Sequence, residues 1–262
     1  MLIFSIIVVS LNAAETMKPT IKSILDQTYT DFEVIVKDGG STDGTLEKLP
    51  QDDRIKVHQE KDSSLYDAMN QATGYASGSY CIYMNCGDLF ASADVLQKAA
   101  DYLQKHPCDV LYGNYIRGSI VCKQAKNMTP FYLYRTPLCH QTIFFRTKLL
   151  QGIYKYDTRY KILADYNTEL KMLKNGKMFR YIDLNVCRYL GGGISESKQG
   201  IEKKKAERKV IIRKNFSKDE QLIYGLKLFF TVPELRKLLY SEKSPQFIRK
   251  TYKKLVNIVN GR

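Results

Sequence analysis

Between Phe4 and Phe90, three apolar runs each break off into a cluster of acids, amides, hydroxyls and glycines. Phe4 to Val9 leads into Ser10 and Asn12. Glu33 to Lys37 ends in Asp38, Gly39, Gly40, Ser41, Thr42, Asp43 and Gly44, and Tyr80 to Met84 ends in Asn85, Cys86, Gly87 and Asp88. In an open α/β sheet, ligands bind in the crevice beyond the carboxyl ends of the strands. Polar groups repeated at three such ends therefore predict a site, and an anionic, metal-bound group such as a nucleotide diphosphate suits them.

Strand and helix alternate through this stretch. Ile21, Ile24 and Leu25 fit a helical face after the first strand, and Leu65, Ala68, Met69, Ala72 and Ala76 recur at helical spacing. Ile55 to His58 and Asp109 to Tyr112 read as strands. Val95, Leu96, Ala99 and Leu103 mark a helix, with Asp94 as its cap or first-turn acid. Such alternation predicts right-handed crossovers and a Rossmann-like, mostly parallel sheet covered on both faces. After Asn114 the pattern loosens. Cys139 to Arg146 reads as a strand, Asp165 to Lys174 as a helix, and Phe179 to Asp183 and Val186 to Leu190 as two short strands.

With 262 residues, 44% of them hydrophobic, the chain can bury a full core. The apolar opening has no basic leader and is far shorter than the roughly 20 residues that span a bilayer, so it reads as a buried strand of a cytoplasmic protein. The six cysteines form no C-x-x-C pair and read as small apolar residues rather than a zinc or disulfide framework. Charge is uneven. Lys198 to Arg262 carries 18 Lys and Arg against 6 Asp and Glu, so nearly all of the net charge of +14 belongs to the tail. A boundary after the Gly191 to Gly193 run gives a module over residues 1–195 and a basic helical extension over residues 196–262.

The runs SIIVVSLN, SILDQTYTDFEVIVKDGGSTDGT, SSLYDAMNQATGYASGSYCIYMNCGD, HQTIFFR and ILADYN together resemble the family 2 glycosyltransferases of the GT-A fold, over roughly residues 3 to 195. The resemblance implies an α/β GT-A domain and a sugar-nucleotide donor, UDP-linked by analogy, with Mg²⁺ or Mn²⁺ as cofactor. It also implies hexosyl or N-acetylhexosaminyl transfer with inversion, in the building of bacterial capsule, lipopolysaccharide or exopolysaccharide. Two departures stand out. Gly39 occupies the place of a usual second aspartate, and Asn85-Cys86-Gly87-Asp88 replaces the usual D-x-D.

The site residues carry two readings each. Asp38 either accepts hydrogen bonds from a uracil or ribose or, like Asp43, caps the turn. Ser10 and Asn12 either line the base pocket or form a local turn. Asp67 and Asn70, one helical turn apart, either meet the donor or, for Asp67, cap the helix that starts near Ser63 and Ser64. Asp88 is the expected metal ligand and Asn85 a contact through its amide oxygen, because hard cations often take one or two carboxylates and complete their shell with phosphate and water. Asp165, matching the family's acid, is the expected general base, with helix capping as the alternative. His140 binds diphosphate or acceptor hydroxyls, or is a core histidine. Gly191 to Ser195 forms a flap or a plain loop.

In the tail, Leu222, Leu226, Phe229 and Phe230, then Ile248, Tyr252, Leu255, Val256 and Val259, follow helical spacing with lysines and arginines between them and with Pro233 and Pro245 as breaks. A helix of this kind lies on an anionic membrane surface or packs on the catalytic module. Family members commonly use a glycan or polyprenol-linked acceptor, which fits docking at the inner face of the cytoplasmic membrane. A basic nucleic-acid-binding protein is the less favoured alternative, because Asp38, Asp88 and Asp165 would repel a polyanion unless a metal intervened. A catalytically degenerate sugar-nucleotide binder is the other reading left open by the missing D-x-D.

Overall fold

A computed structural model describes residues 4–191 and 196–231. In chain order the elements are β1 (Phe4–Ser10), α1 (Ala14–Leu25), β2 (Phe32–Asp38), β3 (Ile55–Gln59), α2 (Leu65–Tyr75), β4 (Tyr80–Tyr83), β5 (Leu89–Phe90) and α3 (Val95–Lys105). There follow β6 (Val110–Arg117), β7 (Ile120–Cys122), α4 (Pro130–Arg135), β8 (Ile143–Arg146), α5 (Thr147–Gln151), α6 (Ala164–Lys174), β9 (Phe179–Tyr189), α7 (Lys198–Asn215) and α8 (Lys218–Thr231). Two compact units divide after Arg208. The first holds the whole sheet.

The sheet runs β3, β2, β1, β4, β8, β6, β9, β5, with β7 paired to β6. Strands β3, β2, β1 and β4 are mutually parallel, so the ends of β1, β2 and β4 share one edge; Ser10 lies opposite Asp38 in register. β8 enters antiparallel between β4 and β6, and β9 returns parallel to β6. Hydropathy explains the placement. β1 and β2 are buried at every residue, whereas the edge strand β3 is mostly exposed. Phe4, Ile6 and Val8 pack in one core with Met17, Ile21 and Ile24 of α1 and Val95, Leu96, Ala99 and Leu103 of α3.

Two polar residues of β2 are buried without being stranded. Glu33 accepts from Ser5 Oγ at 2.6 Å, Ser77 N at 2.6 Å and Lys56 Nζ at 2.6 Å. Burial opposes its ionisation, but these bonds hold its pKa down at about 2. Lys37, fully buried, donates to Glu60 O at 2.6 Å and pairs with Asp62 at 2.9 Å.

The structure departs from the sequence reading in three places. Cys139 to Arg146 is not one strand: His140–Thr142 is a 3-10 turn, and pairing begins at Ile143. Side-chain bonds explain this, since Gln124 Oε1 takes the Cys139 N–H at 2.9 Å and Cys139 O takes the Thr142 hydroxyl at 2.7 Å. The two short strands expected after Phe179 are a single β9, which crosses its polar middle through register shifts opposite Tyr112 to Tyr115. Asn114 there donates to Asp183 at 3.0 Å. Asp94 stands at the N-cap of α3, yet its carboxylate bonds Ser92 and Lys98 rather than the helix. Leu222, Leu226 and Phe229 lie in α8 with their side chains exposed. The tail positions from Pro233 onward, and residues 192–195 of the expected flap, lie outside the described residues.

Candidate active site

The ends of β1 and β2 are knitted into one loop system. Asp38 Oδ1 accepts from the N–H groups of Gly40 at 2.9 Å and Ser41 at 2.8 Å, while Oδ2 accepts from the hydroxyls of Ser10 at 3.0 Å and Ser41 at 2.5 Å. Burial would raise its pKa, but the bonds from Ser41, Gly40 and Ser10 outweigh it and hold the carboxyl below its ordinary range. Asp38 thus organises the loop with all of its acceptor capacity.

Neither Ser10 nor Asn12 forms a local turn. Asn12, at φ +50°, accepts from Thr42 N at 3.0 Å, and its own N–H donates to Ser41 Oγ at 2.8 Å. Ala13 N donates to Thr45 Oγ1 at 2.7 Å and Ala14 N to Asp43 Oδ2 at 3.0 Å. Helix α1 has no cap of its own. The loop after β2 caps it from a distance, satisfying N–H groups that would otherwise be orphaned.

Beyond β4 the polar groups are arranged differently. Asn85 O accepts the Asp88 N–H at 2.9 Å in a tight turn whose Gly87 takes φ +100°, a conformation that side chains resist. Thr20 of α1 fastens this turn, accepting from Gly87 N at 3.0 Å and donating to Asp88 O at 3.1 Å. The Asp88 side chain is buried with one bond, from Gln141 Nε2 at 3.0 Å. Burial pushes its pKa up, against the pull of His140 and Gln141. Cys86 lies within the fields of both Asp38 and Asp88, which with burial push its thiol up to about 12. The ends of β2 and β4 flank the end of β1 between them.

The 3-10 turn links Asp88 to Asp165. Gln141 holds the first, while His140 Nδ1 stands 3.6 Å from Asp165 Oδ2, an ion-pair separation for a protonated imidazole. Asp165 Oδ1 accepts from Tyr166 N at 2.8 Å and lies 2.9 Å from the Tyr66 hydroxyl. Burial and the Asp165 charge keep that phenol neutral, hence a donor. One turn further along α6, Glu169 is fully buried; burial and the charge of Asp165 push its pKa well up, and Oε2 accepts from Leu138 N at 3.1 Å. Three polar atoms here have no partner among the described residues: Asn85 Oδ1, His140 Nε2 and Glu169 Oε1.

A Glycosyl transferase family 2 model matches residues 5–166. The chain belongs to glycosyl transferase family 2. It is 34% identical over 203 residues to the PGL/p-HBAD biosynthesis glycosyltransferase of Mycobacterium bovis, covering 74% of this chain and 79% of the relative. Among solved structures it resembles S. aureus TarS 1-349 in complex with UDP-GlcNAc, at TM-score 0.67 and 19% identity over 98% of this chain and 80% of that one. It also resembles the mannosyltransferase PcManGT of Pyrobaculum calidifontis, in complex with GDP-Man and Mn²⁺, at TM-score 0.58 and 17% identity over 97% and 69% of the two chains. The fold is GT-A, and the protein is a glycosyltransferase.

In this family 2 enzyme, Asp67 and Asn70, expected on the donor side, make contacts within the protein. Asp67 Oδ2 accepts from the N–H and hydroxyl of Ser63, both at 2.8 Å, while Ser64, the N-cap of α2, accepts from Asp67 N through Oγ at 3.3 Å. These bonds lower the Asp67 pKa. The Asn70 amide is consumed by the Tyr156 backbone, donating at 2.9 Å and accepting at 2.9 Å, so its side chain is a tie to that loop. Sequence reasoning missed Tyr66 and Glu207. Glu207 of α7 accepts from the N–H groups of Lys161, Ile162 and Leu163 at 2.7, 3.0 and 2.9 Å, covering the entry to the helix that carries Asp165. Nothing local in the sequence signals either contact.

Proposed function

We propose that this glycosyltransferase moves a sugar, with inversion, from a UDP-sugar to a hydroxyl of a glycan or lipid-linked acceptor in bacterial surface polysaccharide assembly. The observation that carries the reading is the convergence of Asp88 and Asp165 on one turn, through Gln141 and His140. A relative of PGL/p-HBAD biosynthesis and a structural neighbour that binds UDP-GlcNAc support the donor and acceptor classes.

Asp165 serves as the base. Its Oδ1 is held by Tyr66 and the Tyr166 N–H, which leaves Oδ2 to take the acceptor hydroxyl proton as the oxygen attacks the anomeric carbon opposite the nucleotide. His140, with an unpartnered Nε2, offers a donor or acceptor to the substrates. Among the described residues no group of three or more His, Cys, Asp or Glu is gathered to hold a metal. An all-oxygen set of Asp88 and Asn85 Oδ1 nevertheless fits a hard divalent ion whose other ligands are phosphate and water. When bound, such an ion offsets charge on the departing diphosphate. Work at the inner face of the cytoplasmic membrane is part of the same reading; no described helix is long and apolar enough to cross a membrane.

Thermal shift and nucleotide release with UDP-, GDP- and dTDP-sugars plus Mn²⁺ test it. A donor at about 100 times its dissociation constant adds roughly 2.7 kcal/mol to native stability. A shift with UDP-sugars and slow release of UDP are expected. Binding with no release under any condition would identify a catalytically silent sugar-nucleotide binder, and a shift with none of the donors would end the proposal.

A further inference from the structure

Thr20 and Ser23 of α1, with Gln27 just past its end, stand at i, i+3 and i+7 and share one face. Each meets the backbone that follows β4, in chain order. Thr20 Oγ1 accepts from Gly87 N at 3.0 Å and donates to Asp88 O at 3.1 Å. Ser23 Oγ accepts from Phe90 N at 3.3 Å. Gln27 Nε2 donates to Ser92 O at 2.8 Å, and its Oε1 accepts from Leu96 N at 3.1 Å. The chain from the Asp88 turn to the head of α3 is thus laid along α1 and fastened about once per helical turn.

The helix that does the fastening is itself fixed. The N–H groups of Ala13 and Ala14 at its start are answered by Thr45 and Asp43 of the loop after β2. Met17, Ile21 and Ile24 lie in the core, and Met17 Sδ is 3.9 Å from the sulfur of Cys86, the residue before Gly87. Thr20 therefore carries to the end of β4 a position that is set by the core and by the end of β2.

Within the row, Thr20 has a task of its own. Gly87 N and Asp88 O belong to the planar peptide groups that enter and leave the Gly87–Asp88 pair, so holding both fixes the direction in which Asp88 presents its side chain. Gln141 Nε2 then holds the carboxylate itself, at 3.0 Å. Thr20 is fully buried, while nothing lies within 4 Å of where a Cβ on Gly87 would stand. The hydroxyl supports the turn from the protein side and leaves its other side open. Because one carboxylate stands where the family's D-x-D has two, no second acid makes up for a misplaced Asp88.

We propose that Thr20 is a positioning residue for the divalent ion, aiming Asp88 through the backbone of its turn. The proposal rests on the reading of Asp88 and Asn85 as the ion's protein ligands.

Titration with Mn²⁺ in the presence of UDP, read from the electron spin resonance signal of the free ion, tests this without turnover. Thr20→Val keeps the shape of the side chain and removes the hydroxyl. It should raise the half-saturating Mn²⁺ concentration about tenfold, with the UDP affinity measured in chelator unchanged. Thr20→Ser should restore the parent's value. Gln27→Ala, which breaks two bonds at the far end of the same row, should lower Tm and leave Mn²⁺ binding as it is in the parent. Thr20→Ala, which adds no apolar group, serves with the same expectation if the valine variant does not fold. Parent-like Mn²⁺ binding without the hydroxyl overturns the proposal. So does an equal loss in Gln27→Ala, which would make the row a general support. A parent protein that binds no Mn²⁺ defeats the metal reading, and the role of Thr20 falls with it; a parent that binds Mn²⁺ beside an unaffected Thr20 variant defeats the role of Thr20 alone.

Discussion

The acids beyond β2 and the acids around the His140–Thr142 turn lie at neighbouring rims but live under opposite electrostatic conditions. Asp38, Asp43 and Asp67 are each fed by several donors, and their pKa values are lowered. Asp88 and Glu169 are buried, each side chain bonded by one donor, Gln141 Nε2 and Leu138 N respectively, and their pKa values are raised. A carboxylate whose lone pairs are used by backbone and hydroxyl groups shapes a loop, whereas one that is buried and undersatisfied stores a demand for a proton, a cation or a ligand. The difference separates satisfied from undersatisfied carboxylates.

The largest effect expected is catalytic. Asp165→Asn should lower turnover by about 10²- to 10⁴-fold in a nucleotide-release assay, with the UDP-sugar thermal shift retained; near-normal turnover would remove the base from the account.

Asp88→Asn comes next. It should raise the half-saturating Mn²⁺ concentration by at least about tenfold, since even indirect supports of a metal cost that much. The same change should stabilise the metal-free protein at neutral pH. The folded pKa of Asp88 lies above its unfolded value, so its favourable contribution is full below the unfolded value and is lost as pH rises through the folded one. The gain in Tm should therefore vanish in acid near about pH 4.

Asp38→Asn tests the other side. An amide cannot accept all four bonds, and a loss of about 2 kcal/mol is expected in urea unfolding. Here the sign reverses: with a lowered folded pKa, the stability Asp38 contributes is present above its unfolded value and lost as pH falls through the folded one. The smallest change is expected from Glu169→Gln, within about 1 kcal/mol, because a neutral acid already accepts from Leu138 N and an amide oxygen can replace it. A large loss there would mean that Glu169 is ionised, and the comparison between the two rims would break.

The parallel half of the sheet was legible in the sequence because β1, β2 and β4 are short, apolar and bounded by turn-forming residues, signals that act within a few positions. The antiparallel entry of β8 and the irregular course of β9 were not, since side-chain bonds from Gln124 and Asn114 decide where pairing starts and shifts. Asp88, His140 and Asp165 were singled out through motif resemblance, and the start of α2 near Ser63 and Ser64 through local spacing. Tyr66 meets Asp165 across 99 residues and Glu207 meets Leu163 across 44, distances at which periodicity carries no information.

The Glu207 bonds also bear on how such enzymes diversify. Because three amides at the head of α6 are answered from α7, Glu207 helps hold the entry to the helix that carries Asp165. Exchanging C-terminal segments between cousins, in evolution or at the bench, would have to carry an equivalent acid across, or the new chimera would fray where it works.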